Sequence, residues 1–325
     1  MHGPLISGGR RRRRTRGLLV AVVAAAVGLG IAAWQLRPDG TSASGAPPAS
    51  SPVSPSGGAA AGLSAAPRAP RLLIARQPLQ RLPGGITARA GIVVDQTTGT
   101  VIYAKHAHLR LPIASTTKIM TAVVAMELLR PRDVVIVDPA ATRVTQFKEG
   151  LRAGERVPAW KLFYGLMLVS GNDTALALAI QAAGTRARFL ALMNAKARAL
   201  GLLDTHFTTP SGLIDRGNYS TAWDLAALAR YAMWNPRFRA VVRTRRKRVS
   251  WSAPTYAKVY ENHNKLLRRY AGADGIKTGW TTKAGNCLVA SAHRHGIRVI
   301  AVVLDSPDHY GDVSKLLDLG FANRG

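Results

Sequence analysis

The feature that most restricts the fold is a pair of strand patterns at each end of the folding part, with helical periodicity between them. AGIVVD (90–95) and TVIYAK (100–105) flank Gln96-Thr97-Thr98-Gly99, where Gly99 can take the positive φ of a tight turn. NCLVASA and RVIAVVL form the second pair near the C-terminal end. One sheet must combine strands from distant parts of the chain. This predicts an α/β fold in the broad (α+β) sense, with an antiparallel sheet, helices on both faces and a helical lobe.

Helical spacing of apolar residues fills the middle of the chain. Together with the strands, these segments assign residues 85–325 to one domain that begins near Pro83. About 240 residues is large for one simple domain but within the plausible range. The predicted helices cover 117–129, 159–168, 173–183, 187–200 and 221–233, with a last one around 312–320.

The first 36 residues have the composition of a membrane anchor. A basic tail, residues 1–17, contains six arginines and precedes Leu18–Leu36, 19 residues without a charge. This length is enough for a helix to span a bilayer. The arginines should stay cytoplasmic, which places the rest of the chain outside the cell membrane as a single-pass protein. The alternative is a cleaved signal peptide and secretion, although the small residues Ala43 and Gly45 lie well beyond the apolar run.

Residues 37–84 are predicted to be a linker. Within 38–70, 28 of 33 residues are Pro, Gly, Ala or Ser. Such a segment has too little apolar surface to offset the entropy of ordering the chain, and its prolines keep it extended. We expect it to tether the folded part to the membrane.

Three short motifs follow one another within the folding part: Ser115-Thr116-Thr117-Lys118, Ser170-Gly171-Asn172 and Lys277-Thr278-Gly279. Pro112 precedes an apolar-periodic run, so the first motif falls near the start of a helix. Residues three apart share a helix face, which brings the Lys118 amine within reach of the Ser115 hydroxyl. Together the motifs supply a nucleophile, an amine base, a second hydroxyl with an amide, and a cation beside a glycine. These are the groups that acyl transfer through a serine ester requires.

The motifs and their flanks resemble the D-alanyl-D-alanine carboxypeptidases, the low-molecular-mass penicillin-binding proteins of the bacterial cell wall. The matching stretches are LPIASTTKIMTA, LVSGNDTALALA, DGIKTGWTTKAGNCLVASA and LGLLDTHFTTPSGL. The resemblance covers roughly residues 85–321. It implies the serine β-lactamase/DD-peptidase fold for the catalytic domain. It also implies removal of the terminal D-alanine from peptidoglycan stem pentapeptides, with β-lactams as covalent inhibitors.

The resemblance assigns the catalytic roles. Ser115 would attack the carbonyl of the penultimate D-alanine, and Lys118 would accept the serine proton. Lys118 must then be neutral, with a pKa well below the free value of about 10.4, which burial and the nearby charge of Lys277 both favour. Ser170 would relay a proton to the departing amine, and the Asn172 amide would hold the substrate peptide bond.

The third motif is expected to bind the substrate. Lys277 and Thr278 would receive its terminal carboxylate, and Gly279 would let the backbone approach closely. The backbone N–H groups of Ser115 and Trp280 would form the oxyanion hole, where each donor contributes about 10² to 10³ in rate.

One departure from the family concerns the carboxylate site. Family members usually carry an arginine before the last helix, where this chain aligns His309. This departure argues against strict carboxypeptidase specificity but leaves the acyl-enzyme chemistry unchanged. A DD-endopeptidase, or transfer of the acyl group to an amine, is the alternative within the same mechanism.

Two further alternatives use the same pocket. A class A β-lactamase needs a glutamate between the second and third motifs to activate water, and only Glu261 lies there, in a basic, strand-like setting. A non-catalytic penicillin or peptidoglycan sensor would not need Lys118 or Ser170, whereas this chain retains both. The cytoplasmic tail is also too short for a signalling domain.

The remaining composition bears on partners and cofactors. The formal charge of +28 is typical of nucleic-acid binders. Because the domain is expected outside the membrane, lipid headgroups and anionic cell-wall polymers are the predicted polyanions, not nucleic acid. Residues 237–269 would attract them most strongly, with a plain solvated surface as the alternative. The single Cys287 has no disulfide partner within the chain, and we predict no metal or other cofactor.

Overall fold

The computed structural model describes residues 73–75, 78–213, 216–251 and 257–323. The predicted basic tail 1–17, the anchor 18–36 and most of the linker 37–84 lie outside these residues. Among the described residues, no single helix is long and apolar enough to cross a membrane. One pair of consecutive helices, Asn172–Ala183 and Arg186–Ala199, meets the length and composition test jointly but is bent by 87°.

A six-stranded sheet in the order β1-β3-β2-β12-β11-β10 forms the centre of the fold. All neighbours are antiparallel except β1, which runs parallel to β3. Three small two-stranded sheets, β4-β7, β5-β6 and β8-β9, accompany it. Within the described residues the strands are β1 Ile74–Ala75, β2 Ala90–Asp95, β3 Thr100–Lys105, β4 Leu111–Pro112, β5 Val134–Ile136, β6 Arg156–Pro158, β7 Tyr219–Ser220, β8 Arg246–Val249, β9 Lys258–Glu261, β10 Ala273–Thr281, β11 Gly285–Arg294 and β12 Ile297–Leu304.

The predicted union of distant strands is confirmed. β2 pairs with β12 from Val299↔Asp95 to Leu304↔Ala90, across some 200 residues of sequence. Every residue of β2 is buried, since both faces of the sheet are covered. Gly99 takes a φ of 76° in the turn between β2 and β3, and its N–H donates to the Asp95 carbonyl at 2.9 Å.

Helices cover both faces of the sheet. The last helix packs on one face, where Val313, Leu316 and Leu317 join a core cluster with β11 and β12. The remaining core fills the other face and the helical lobe. Each predicted helix is present. A 3₁₀ turn, Ala114–Thr117, precedes the first α-helix, and the α-helices are α1 Lys118–Leu128, α2 Pro139–Thr142, α3 Ala159–Leu168, α4 Asn172–Ala183, α5 Arg186–Ala199, α6 Ala222–Trp234, α7 Pro236–Val242, α8 Leu266–Arg269 and α9 His309–Ala322.

Residues before the predicted boundary at residue 85 take part in the sheet. Ile74–Ala75, inside the predicted linker, pair in parallel with Thr100 and Val101. The Gln80 N–H also donates to the Ile102 carbonyl at 2.9 Å. Unpaired backbone groups on β3 accept this short strand, so the last part of the predicted linker belongs to the sheet edge.

Candidate active site

Ser115 lies in the 3₁₀ turn immediately before α1, as the helical spacing predicted. The preceding residue, Ala114, has a φ of 45°, a left-handed conformation that is unfavourable for alanine. Two glycines press against this turn. A Cβ on Gly212 would lie 1.8 Å from the Ala114 carbonyl oxygen, and one on Gly279 would lie 3.1 Å from the Ser115 nitrogen. The backbone can pack this closely around the serine only because neither residue has a side chain.

The Lys118 amine is fully buried and has three oxygen neighbours. Its Nζ lies 3.0 Å from Ser115 Oγ, 2.7 Å from Asn172 Oδ1 and 2.7 Å from the Ser211 carbonyl oxygen. The carbonyl and the amide oxygen can only accept, so they take two N–H hydrogens. A neutral amine has two such hydrogens and one lone pair. The lone pair then points at the Ser115 hydroxyl, the orientation in which an amine removes a proton.

Electrostatics favour this neutral form. Burial, and after it the positive charge of Lys277, lower the pKa of Lys118 well below its ordinary value, against an opposing contribution from Asp173. Lys277 is itself 1% exposed, and burial lowers its pKa to about 7. Its Nζ donates to the Thr278 carbonyl at 2.9 Å. The two lysines therefore share one desolvated region, where the charge of Lys277 favours the neutral form of Lys118.

The second motif joins this cluster at the start of α4. Ser170 is buried and has a φ of 65°. Asn172 donates through Nδ2 to the Gln146 carbonyl at 3.0 Å, while its Oδ1 accepts from Lys118. Among the residues that the structure describes, no acceptor takes the second Nδ2 hydrogen, which can bind a ligand.

A loop that the sequence did not single out holds the second motif in place. The buried carboxylate of Asp173 accepts the backbone N–H groups of Glu149, Gly150 and Leu151 at 2.8, 2.8 and 3.1 Å. In return, the Asn172 N–H donates to the carbonyl of Phe147 at 2.9 Å. The position of Asp173 directly after the motif was the one available sequence signal, since an acidic residue in a first helical turn often caps backbone N–H groups.

The Glu149 side chain extends this loop's attachment to the β8-β9 hairpin. Burial raises the pKa of its carboxyl, and Lys258, Tyr260 and Thr174 oppose that shift. The Lys258 Nζ lies 3.5 Å from Glu149 Oε1, and Thr174 Oγ1 donates to Oε2 at 2.7 Å. The Tyr260 hydroxyl donates to Oε1. A buried carboxylate with this many partners fixes the loop on both sides.

The third motif lies on β10, the edge strand of the large sheet. Thr278 and Trp280, two residues apart, share one strand face, while Lys277 and Gly279 point to the other. Strand β10 runs along the 3₁₀ turn that carries Ser115. All eight predicted site residues thus lie in, or directly after, the three motifs that meet around the Ser115 turn. Their individual roles stay predictions.

An open cleft of about 260 Å³ gives solvent access to five of the eight predicted site residues, Ser115, Ser170, Thr278, Gly279 and Trp280. The other three, Lys118, Asn172 and Lys277, are buried and are not among its lining residues. Within the described part of the chain its lining contains no carboxylate. His309 lines it at the start of α9, and burial lowers the pKa of this imidazole. The lining residues are Ser115, Phe147, Ser170, His263, Lys265, Thr278, Gly279, Trp280, Asn286, His309 and Tyr310.

No cluster of three or more His, Cys, Asp or Glu side chains that could hold a metal occurs among the residues the structure describes. Cys287 is buried on β11, with its sulfur 3.7 Å from the Ala284 carbonyl oxygen and 3.9 Å from that of Pro112. It occupies a core position rather than the cleft surface.

A serine hydroxyl at a helix start, facing a buried lysine amine, beside a Ser-Gly-Asn turn and a Lys-Thr-Gly edge strand, defines the class of serine acyl-enzymes. Comparison with known proteins identifies the family. The D-alanyl-D-alanine carboxypeptidase family matches residues 75–308. The chain therefore belongs to this family and is a serine-type hydrolase, as predicted.

Individual relatives carry the name of the same family. D-alanyl-D-alanine carboxypeptidase DacF of Bacillus subtilis (strain 168) is 33% identical over 250 residues, covering 72% of this chain but only 62% of that protein, less than two thirds of its length. The D-alanyl-D-alanine carboxypeptidase of Streptomyces sp. (strain K15) is 38% identical over 260 residues, covering 73% and 88%.

Solved structures share the fold. A serine-to-alanine mutant of the Streptomyces K15 DD-transpeptidase matches with a TM-score of 0.69 at 37% identity, covering 73% of this chain and 98% of that one. The D-alanyl-D-alanine carboxypeptidase from Mycobacterium tuberculosis H37Rv matches with a TM-score of 0.71 at 34% identity, covering 77% and 96%. The predicted DD-peptidase-like sheet flanked by helices is confirmed.

Proposed function

We propose that this chain removes the terminal D-alanine from peptidoglycan stem pentapeptides through an ester on Ser115. The observation that carries the proposal is the contact of 3.0 Å between Ser115 Oγ and the buried Lys118 Nζ, whose other two neighbours are acceptors only. A neutral amine in this position activates a serine that is otherwise a weak nucleophile.

The reaction begins when Ser115 Oγ attacks the carbonyl carbon of the penultimate D-alanine and its proton moves to Lys118. The backbone N–H groups of Ser115 and Trp280 stabilise the oxyanion of the tetrahedral intermediate. Ser170 relays that proton from Lys118 to the nitrogen of the departing D-alanine as the peptide bond breaks. Water then adds to the ester carbonyl, and one of its protons restores the Ser115 hydroxyl as the shortened peptide leaves with a free carboxyl group.

Substrate binding uses the third motif and the second. Lys277 and Thr278 receive the terminal carboxylate, and an arriving negative charge favours the protonated form of Lys277. The free Nδ2 hydrogen of Asn172 binds a carbonyl of the acyl donor. His309, at the rim of the cleft, takes the place of a permanently charged residue near the carboxylate.

The test is release of D-alanine by the purified full-length chain from an acyl-D-Ala-D-Ala peptide. We expect release by the wild type and none by Ser115→Ala. Ser314→Ala, which removes a hydroxyl on the outer helix α9, serves as the matched control and should retain full activity. Release by Ser115→Ala at the wild-type rate would refute the proposal.

Transfer to an amine is the second candidate function. The Streptomyces K15 protein is named a D-alanyl-D-alanine carboxypeptidase as a sequence and a DD-transpeptidase as a solved structure. A Pseudomonas aeruginosa relative at 33% identity is named a D-alanyl-D-alanine endopeptidase. Adding glycylglycine as an acceptor distinguishes transfer from hydrolysis, because a transferase yields the extended peptide at the expense of the hydrolysed product. A cross-linked dimer as substrate tests the endopeptidase in the same way.

The same site should react with β-lactams and release them slowly. Glu261, the glutamate that a class A β-lactamase reading would require, is exposed on β9 and lies 3.9 Å from both Arg246 and Arg268. It is not among the residues that line the cleft. We therefore propose that the ester formed with a penicillin persists for lack of a carboxylate that activates water.

We also propose that the domain works outside the cytoplasm, tethered by residues 18–36. Protease added to wall-free cells should cut within 38–70 and release a soluble domain. A protected domain, or a mature protein that begins near residue 45, would contradict this topology.

Anionic lipid headgroups and wall polymers are the partners we propose for the basic surface of α7 and the β8-β9 hairpin. Arg243, Arg245, Arg246 and Arg248 are exposed there, and Glu261 is the one acidic residue within 236–272. Binding to a phosphodiester polymer should weaken steeply with salt. On a column that carries an immobilised phosphodiester polymer, the double variant Arg246→Ser/Arg248→Ser should elute at lower salt than the wild type. Unchanged retention would count against this surface.

A further inference from the structure

Two aromatic side chains remain exposed at the mouth of the cleft. Phe147 is 57% exposed and Trp280 is 56% exposed. Only one other large aromatic side chain is exposed among the described residues, that of Trp234. It lies on α6 and does not line the cleft. Isolated exposed apolar residues are common, but two aromatic ones that line the same cleft as a nucleophile mark a binding surface.

Phe147 is held in place rather than left loose. It and Gln146 both have a φ of 47°, two consecutive left-handed residues without glycine. Such backbone persists only where the surroundings fix it. Here both carbonyls accept hydrogen bonds from Asn172, at 2.9 Å from its backbone N–H and 3.0 Å from Nδ2. The backbone on the C-terminal side of Phe147 is fixed by Asp173. The exposed ring is therefore presented by a rigid loop.

The position of the pair relative to the reacting atoms identifies what it contacts. Trp280 follows Gly279, which packs against the Ser115 nitrogen, and lies on the far side of Gly279 from Lys277 and Thr278. Two residues along a strand correspond to about 7 Å. The Trp280 side chain therefore lies about that far from Thr278, where the terminal carboxylate of the substrate is proposed to bind. Phe147 is hydrogen-bonded to Asn172, the residue proposed to hold the acyl donor. With the substrate in the proposed orientation, both rings flank the acyl side of the scissile bond.

Elsewhere the cleft has a different chemistry. Lys265, His263, His309 and Tyr310 line it with polar and basic groups that suit a carboxylate. The Tyr310 hydroxyl also accepts from the Lys265 N–H at 3.1 Å, which joins α9 to the segment after β9. A ligand of this cleft should therefore combine an anionic group with an apolar one.

From this arrangement we propose that Phe147 and Trp280 form an aromatic subsite that binds the aliphatic side chain of the residue before D-Ala-D-Ala. The proposal rests on the proposed function, which fixes the direction of the substrate. Phe147 is the specificity-determining residue, because Trp280 also supplies a backbone N–H to the reaction. The same subsite takes the aryl side chain of a penicillin, which is attached on the acyl side of the β-lactam carbonyl.

The test compares two peptides that are identical at the scissile bond and carboxylate, diacetyl-L-Lys-D-Ala-D-Ala and acetyl-L-Ala-D-Ala-D-Ala. The wild-type chain should prefer the lysyl peptide. In Phe147→Ala, kcat/KM for the lysyl peptide should fall about ten-fold or more, as is usual when an apolar contact is lost, while the alanyl peptide changes less than about two-fold. Phe147→Leu should restore most of the preference, and Trp234→Ala, the matched exposed aromatic, should leave both values unchanged.

A second readout does not depend on turnover of a peptide. The acylation rate of Ser115 is measured with benzylpenicillin and with 6-aminopenicillanic acid, which lacks the aryl side chain. Phe147→Ala should slow only the first reaction. An equal loss with both members of each pair would show that Phe147 acts through Asn172, and no loss with either would show that it binds nothing; both results overturn the subsite. If the wild type releases no D-alanine from either peptide, the proposed function fails, and the penicillin pair still decides on the subsite.

Discussion

Raising the pH above neutrality should remove the charge of Lys277 and with it the recognition of the substrate's carboxylate. Lys277 is 1% exposed, and burial lowers its pKa to about 7. A lysine with a lowered pKa is charged below that pKa and neutral above it. Because kcat/KM reports the ionisation of the free enzyme, the protonated fraction should set its alkaline limb.

The magnitude follows from this pKa. The protonated fraction of Lys277 is about one half at pH 7 and about one hundredth at pH 9, so kcat/KM should fall about 50-fold over that interval. Lys118 must be neutral to accept the serine proton, and burial together with Lys277 lowers its pKa. It therefore governs the acid limb and does not limit the rate as the pH rises.

The assay is D-alanine release measured from about pH 6 to about pH 9 at constant ionic strength. Lys277→Arg supplies a permanent charge, since arginine has a pKa above about 12, so its alkaline limb should disappear even if its rate at pH 7 is lower. A peptide ending in D-alaninamide lacks the carboxylate. It should react slowly, and its kcat/KM should not fall as the pH rises. Wild-type kcat/KM that stays level to pH 9, or an equal fall in Lys277→Arg, would show that the charge of Lys277 does not control carboxylate recognition.

Three further predictions concern other parts of the site. Lys118→Ala should slow acylation by penicillin by several orders of magnitude because Ser115 loses its base, which stopped-flow measurement checks; acylation at the wild-type rate would remove Lys118 from the mechanism. Gly212→Ala would place a Cβ 1.8 Å from the Ala114 carbonyl oxygen, so it should lower both Tm and kcat, whereas Gly201→Ala, also at positive φ but with open space around it, should lower Tm alone. Equal effects of the two on kcat would contradict the close packing at the nucleophile. His309→Arg should raise or maintain activity on peptides with a free D-alanine carboxylate, because arginine is a permanently charged, bidentate partner, and a large loss in steady-state kcat/KM would show that His309 has a role of its own.

The sequence predicted the large elements of the fold because each had a strong local pattern. AGIVVD and RVIAVVL are continuous apolar strands, and their pairing was inferred from the helices between them. Apart from the strand-like setting of Glu261 on β9, the short strands were not predicted, since two to four residues carry no periodicity. Ile74–Ala75 also lies in a region rich in Pro and Ala, where composition argues for an unfolded spacer.

The candidate site likewise contains residues that the sequence revealed and groups that it did not. Ser115, Lys118 and the other predicted residues belong to motifs whose residue types reveal their chemistry. The Ser211 carbonyl, which binds Lys118, and the Gln146 carbonyl, which binds Asn172, are backbone groups that any residue could supply. Their contribution depends on chain path alone. Phe147 carries no chemical signature either, and only its exposure beside the nucleophile makes it a candidate.

Covalent labelling with a penicillin identifies the nucleophile of this enzyme. Benzylpenicillin is incubated with the purified chain, and intact-mass spectrometry with peptide mapping locates the adduct. We predict one adduct per chain, carried by Ser115, that persists for minutes or longer, and no adduct on Ser115→Ala. An adduct on any other residue, or labelling of Ser115→Ala at the wild-type rate, would contradict the account.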